Sequence, residues 1–293
     1  MSPRLSRFHL IAEMVGSIEM TQPIQSIEAT TVKTCCAALY ESDRTKLLLG
    51  DSFHPGGLAL TERLGTLLQL GAHSRVLDVA AGKGTSAIFL AQKFGCQVVG
   101  VDYSAKLVDE ANAAAQQAEM ADRVEFRQGD AEALTFDDSE FDAVICECAF
   151  CAFPGKRNAA TEFARVLRPG GRIGLSDLTR TETLPPELET LLAWIACIAD
   201  AQPIEEYVAY LEGAEFIGIE TERHDDALVD MVNAIRAKLL GAELLVKLNK
   251  LDLPGADFEQ AKLLARAAAD TIHTGKLGYT IIVGVKPSQA PHH

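Results

Sequence analysis

The chain has 293 residues, 48% hydrophobic and 23% charged, the balance of a globular protein rather than a disordered or membrane-embedded one. Its net charge is −14 and its pI about 4.9, so phosphate backbones are repelled and nucleic acid is not an expected partner. No apolar run approaches the roughly 18–20 residues that cross a bilayer, so no membrane association is expected.

Residues 1–30 carry no clean periodicity and read as a loosely ordered leader. Glu13 breaks their apolar run and no small-residue cleavage pattern follows, so a signal peptide is not expected and the location reads as cytoplasmic. From 31 to 49 the spacing of Val32, Cys36, Leu39 and Tyr40 predicts one or two short helices. Residues 50–57, with His54 among Gly and Pro, form a turn-rich loop. A helix follows over 58–70.

Residues 76–79 then predict a buried strand, 80–84 a tight turn of small residues, and the next stretch a helix closed by Gly95. Gly82 and Gly84 are the positions where backbone can approach a ligand closely. The helix that follows presents unpaired N–H groups to the same place. Further strands are expected at 98–101, 124–127, 141–146 and 172–175. Ser104 caps one intervening helix, and another spans 159–167. Beyond Asp177 the rhythm changes, with helices at 185–199 and 204–211, a strand at 216–222, helices at 227–250 and 258–272, and a last strand at 279–285.

Strands that are apolar on both faces, alternating with helices, predict an α/β, doubly wound, mostly parallel sheet. Seven strands are expected. The long helical insertion before the last strand lets that strand enter antiparallel to its neighbours.

The run Gly82-Lys83-Gly84-Thr85-Ser86-Ala87 fits a dinucleotide pattern, with Asp102 about 20 residues on. That leaves NAD open. Asp78, before the turn, argues otherwise, because a carboxylate there repels a pyrophosphate and attracts a cation. A second acid, Asp130, follows the third strand, and Leu167-Arg168-Pro169-Gly170-Gly171 precedes the fifth. Together these residues resemble the class I S-adenosylmethionine-dependent methyltransferases, well over residues 58–177 and loosely elsewhere.

The resemblance implies a Rossmann-like methyltransferase domain over 31–286 and S-adenosylmethionine as the cofactor. Its parts are a helical cap at 31–70, a cofactor-binding core at 71–180 and a helical substrate-side region at 181–275, followed by a polar tail at 287–293. Asp78, Ala80, Gly82 and Gly84 correspond to the cradle for the amino-acid part of the cofactor. Asp102, with Tyr103 beside it, corresponds to the ribose site, and Asp130 and Ala131 to the adenine site. Ala80 departs from the family, which usually has glycine there. The implied acceptor is a small molecule methylated at oxygen, nitrogen, carbon or sulfur.

Methyl transfer needs alignment and exclusion of water, and a base only when the acceptor carries a proton. The fourth strand ends in Cys146-Glu147-Cys148-Ala149-Phe150-Cys151, beside the expected methyl position. Glu147 stands equally as a base, a partner of the cofactor amine or a solvated acid, and Cys146 is placed against the cofactor. Cys148 and Cys151 read either as thiolates for a soft ion or as core residues. A four-ligand structural zinc pattern is not present, and no metal site is expected.

The segment from Trp194 through Cys197 and Tyr207 to Phe216 resembles arsenite methyltransferases. In that resemblance Cys197 matches a substrate thiolate, and Cys36 stands as a second from the N-terminal helix. The implied acceptor is then a metalloid–thiol species. That family's usual further cysteine has no counterpart after Cys197. A non-catalytic sensor of the same ligands is the alternative of another class.

Overall fold

The computed structural model describes residues 29–41, 54–188, 198, 200–250 and 257–288. One seven-stranded sheet organises them, in the order β3-β2-β1-β4-β5-β7-β6. Its strands are β1 (Arg75–Val79), β2 (Gln97–Asp102), β3 (Val124–Gln128), β4 (Phe141–Glu147), β5 (Leu167–Arg180), β6 (Ile217–Arg223) and β7 (Leu277–Val285). Strands β1 to β5 run parallel. Strand β7 is antiparallel to both β5 and β6.

The helices are α1 (Ala29–Tyr40), α2 (Gly57–Leu67), α3 (Thr85–Phe94), α4 (Ala105–Gln117), α5 (Lys156–Val166), α6 (Ile204–Gly213), α7 (Asp225–Lys247) and α8 (Phe258–His273). The helical insertion before the last strand is the pair α7 and α8. Ser104 caps α4 as expected, its hydroxyl accepting the Leu107 N–H at 3.0 Å. Buried Val76, Leu77, Val98, Val99, Val144, Ile145, Ile173 and Leu175 make the central strands the core of the molecule. The order in which successive strands are laid down across the sheet reverses between β1 and β4. At that point a crevice opens beyond the strands' carboxyl ends.

Three boundaries differ from expectation. Strand β5 is far longer than 172–175, because β7 supplies it with a ladder as far as Arg180↔Leu277. That pairing lets polar residues continue the strand inside the core. The Tyr279 hydroxyl donates to Ser176 Oγ at 2.9 Å, and the Thr179 and Thr280 hydroxyls lie 3.1 Å apart. Residues 168–171 sit within β5 as an irregularity, the register slipping between Phe141↔Leu167 and Ala143↔Arg172. From the helix expected over 185–199, the described residues show only a 3₁₀ turn at Pro186–Leu188. Nearly all the rest of it, Cys197 included, lies outside the described residues, as does nearly all of the expected leader.

Candidate active site

The turn after β1 is held by its own unusual backbone. Ala80, Gly82 and Gly84 all have positive φ, at 59°, 55° and 77°. The Gly82 N–H donates to Asp102 Oδ2 at 2.8 Å, and the Ser104 N–H to Oδ1 of the same carboxylate at 2.8 Å. The acid expected to serve a ribose therefore also pins the cradle to the end of β2. Burial pushes the Asp102 carboxyl above its ordinary range, and the two backbone donors work against that rise.

Ala80 occupies a left-handed conformation that costs an L-residue about 1–2 kcal/mol. Ala80→Gly should relieve that strain. Against the extra freedom glycine brings to the unfolded chain, we expect a net gain of up to about 1 kcal/mol in chemical denaturation.

The two glycines have different surroundings. Gly82 lines the cavity with Ala80. Gly84 is turned toward the core, where a Cβ would lie 2.3 Å from Cζ of Phe126. Asp78 likewise lies beneath the turn rather than on the cavity wall. It is 3% exposed and its Oδ2 has no hydrogen-bond partner. Burial first, and then the charges of Glu147 and Asp102, push its carboxyl well above the usual carboxylate range.

A cavity with about 930 Å³ of open space, its mouth included, runs across the carboxyl ends of β3, β2, β1 and β4. Asp130 and Ala131 lie on its wall past β3, Asp102 and Tyr103 past β2, and Glu147, Cys148 and Ala149 past β4. Leu107, Val101, Ala152 and Phe153 make much of the remainder apolar. Helix α1 closes the cavity with Lys33, Cys36, Ala37 and Tyr40.

Helix α1 is tied down by ions. Lys33 Nζ lies 2.8 Å from Asp130 Oδ2 and 2.9 Å from Glu132 Oε2. Burial works against the Lys33 ammonium, but its bonds to those carboxylates outweigh it and raise its pKa. Just past the helix, Glu41 accepts a hydrogen bond from the Ser104 hydroxyl at 2.6 Å. Lys33 was not legible as a site residue, since its partner Asp130 is 97 residues away.

The cysteines divide. Cys36 and Cys148 reach the cavity, both partly exposed. Cys146 and Cys151 do not line it and are completely buried, so the structure supports neither the cofactor role expected of the first nor the acceptor role of the second. Cys146 packs inside a strand covered on both faces. Cys151 belongs to a 3₁₀ turn that bends inward, its N–H donating to buried Asp177 Oδ2 at 2.8 Å. Cys148 adopts a left-handed φ of 53°, with its N–H on the Ser176 carbonyl at 2.7 Å. Among the described residues no group of three or more His, Cys, Asp and Glu side chains is disposed to hold a metal ion.

Behind Glu147 lies a polar cluster that the sequence did not reveal. The Thr61 hydroxyl donates to the Glu147 carboxylate at 3.1 Å, and His54 Nε2 lies 3.5 Å from Glu147 Oε2. Ser86 Oγ is 3.3 Å from the same imidazole nitrogen. His54 is thus buried against the site.

Residues 76–171 match the family model of a methyltransferase domain. The chain is 34% identical over 170 residues to 27-O-demethylrifamycin SV methyltransferase of Amycolatopsis mediterranei, covering 57% of this chain and 61% of that one. It is 32% identical over 157 residues to the arsenite methyltransferase of Halobacterium salinarum, covering 52% of this chain and 39% of that one. Both matches therefore take in less than two thirds of the relative. Among solved structures, Haemonchus contortus phosphoethanolamine N-methyltransferase 2, in complex with phosphomonomethylethanolamine and S-adenosylhomocysteine, superposes with a TM-score of 0.74. The two are 19% identical, and the match covers 91% of this chain and 62% of that one.

Proposed function

We propose that this chain, a class I methyltransferase by its central domain and its sheet, transfers the methyl group of S-adenosylmethionine to a small-molecule acceptor. The observation that carries this reading is the cavity at the sheet's reversal point. Its backbone cradle is pinned by Asp102, with Asp78, whose Oδ2 has no hydrogen-bond partner, buried beneath it. A ligand that is cationic at one end and flat at the other suits those walls, whereas a pyrophosphate would meet carboxylates.

When bound, S-adenosylmethionine supplies an electrophilic methyl group on a sulfonium. Asp102 would hold the ribose hydroxyls, and Asp130 and Ala131 the adenine edge. Ala80 and Gly82 would face the amino-acid part. Helix α1 and Phe153 exclude water from the far side. Calorimetric titration with S-adenosylhomocysteine, followed by S-adenosylhomocysteine release across an acceptor panel, tests the reading. Binding of NAD with no binding of either adenosyl ligand would sink it.

Asp78 yields a pH test. Its raised pKa means that the folded protein keeps a proton between the ordinary carboxylate value and the raised one. Over that window the folded state binds more protons than the unfolded state, so this group's contribution to stability falls as pH rises. A cation bound nearby favours the carboxylate and expels the proton. The affinity for S-adenosylmethionine should therefore rise with pH across the same window. Calorimetry across a pH series upward from the ordinary carboxylate range, in buffers of different ionisation enthalpy, should detect proton release, and Asp78→Asn should abolish it.

A second reading, methylation of a metalloid held by thiolates, is favoured by Cys36 and Cys148 on the cavity wall and by the halobacterial relative. If arsenite with thiol stimulates turnover and Cys197→Ser removes the stimulation while sparing cofactor binding, that reading holds. No helix of the described residues is long and apolar enough to cross a membrane.

A further inference from the structure

We propose that Glu147 and His54 form a proton-accepting pair at the β4 end of the cavity, so that the acceptor is a small molecule whose attacking oxygen or nitrogen carries a proton. The proposal rests on the methyltransferase reading and narrows its acceptor class.

The geometry assigns each proton. His54 Nδ1 lies 3.2 Å from the Pro55 carbonyl oxygen, which can only accept, so Nδ1 carries a hydrogen. In the neutral ring Nε2 is then an acceptor, and the Ser86 hydroxyl at 3.3 Å is placed to donate to it. The Thr61 hydroxyl is spent on Glu147. With Glu147 ionised and His54 neutral, one contact of the cluster is left unfavourable. In that state a carboxylate oxygen and an imidazole lone pair face each other across 3.5 Å, with side chains 4% and 7% exposed. A proton brought to Glu147 has a ready second seat on Nε2. Once there, it converts the opposition into an imidazolium–carboxylate pair.

Only Glu147 of the two lines the cavity. It is the catalytic residue, and His54 is a positioning residue that acts through it. The acceptor atom bonds to the methyl carbon as the carbon–sulfur bond breaks, leaving that electron pair on sulfur. The acceptor's proton passes to Glu147 and on to His54 Nε2, and is returned to water after product leaves. An acceptor attacking through a bare lone pair, such as a thiolate or a trivalent metalloid, would have no use for the pair.

The other ionisable groups around it do not take over the role. Asp78 of β1 lies beneath the turn and off the cavity wall, its own carboxyl pushed up by burial and then by the charge of Glu147. Tyr279 of β7 donates its hydroxyl to Ser176 and is held neutral by burial. Cys148 continues the same strand end, and Asp102 lies beyond Asp78 on β2.

The test is imidazole NMR of the full chain with S-adenosylhomocysteine as the bound probe. The His54 resonance is identified by its loss in His54→Gln. We expect the Nδ1–H tautomer of His54 in the parent protein and a clear displacement of its Nε2 resonance in Glu147→Gln. An Nε2–H tautomer, or an Nε2 resonance indifferent to Glu147→Gln, overturns the pair.

Turnover supplies the second arm. On hydroxyl or amine acceptors, His54→Gln should lower kcat at neutral pH at least about 10-fold and flatten the acid limb of the pH profile, with affinity for S-adenosylhomocysteine unchanged. Turnover of arsenite or a thiol that His54→Gln leaves intact overturns the acceptor class. Failure to bind S-adenosylhomocysteine at all would instead strike the methyltransferase reading itself.

Discussion

Replacing Asp102 by alanine should weaken binding of S-adenosylhomocysteine at least about 100-fold, close to 3 kcal/mol, in calorimetric titration. The size follows from the two tasks of one carboxylate. Its Oδ2 holds the Gly82 N–H and its Oδ1 the Ser104 N–H, each at 2.8 Å. Hydrogen bonds to a charged group are worth about 1.5–3 kcal/mol each. Alanine would release both donors and, with them, the shape of the turn. It would also remove the acceptor expected for the ribose hydroxyls.

Asp102→Asn separates the two tasks. An amide keeps one oxygen and cannot accept from both N–H groups, so we expect an intermediate loss. A melting curve accompanies each variant. If Asp102→Ala folds and binds within a few-fold of the parent protein, Asp102 is not the centre of the site.

Gly84→Ala should cost about 2–4 kcal/mol of stability, summing roughly 1 kcal/mol for the left-handed backbone and about 1–3 for overpacking. At this size that lowers the melting temperature by roughly 3–7 °C. The argument lies in Phe126. Its ring lies 2.3 Å from where a Cβ of residue 84 would sit, and 2.2 Å from the equivalent point on Gly100 in β2. Wedged between two glycines, the ring cannot withdraw from one without meeting the other. Phe126→Leu in the same chain should return part of the loss, because it removes the clash while leaving the backbone strain. A Gly84→Ala protein as stable as its parent would show that the ring has room to move.

Helix α1 connects these effects to the cavity. Its Lys33 is bonded to Asp130, a residue expected at the adenine, and Glu41 just beyond its end is bonded to Ser104, which also donates to Asp102. The cap and the cradle therefore share hydrogen-bonded partners. A change at Asp102 is felt at the cover as well as at the floor.

The sheet was legible in the chain because its causes are local. Apolar runs such as 76–79 and 141–146 are buried on both faces, so no alternation obscures them. Small residues after β1 and an acid after β2 mark the cofactor end of such a sheet, and Ser104 caps its helix through a contact three residues away. The antiparallel entry of β7 followed from the long interval before it. Three features were not legible. Strand β5 extends through Ser176, Asp177 and Thr179 because β7, about a hundred residues later, completes their hydrogen bonds.

Gly84 serves Phe126, and Cys146 and Cys151 turn into the core while Cys148 turns out. The sequence by itself determined the elements, the cradle and the acids at the strand ends, since these depend on neighbours within a turn or two. Only the tertiary structure decided which side chains face the cavity, which carboxylate lies beneath it, and that His54, Thr61 and Ser86 gather behind Glu147. Those facts depend on where separate segments meet, and burial there changes both the direction of a side chain and its affinity for a proton.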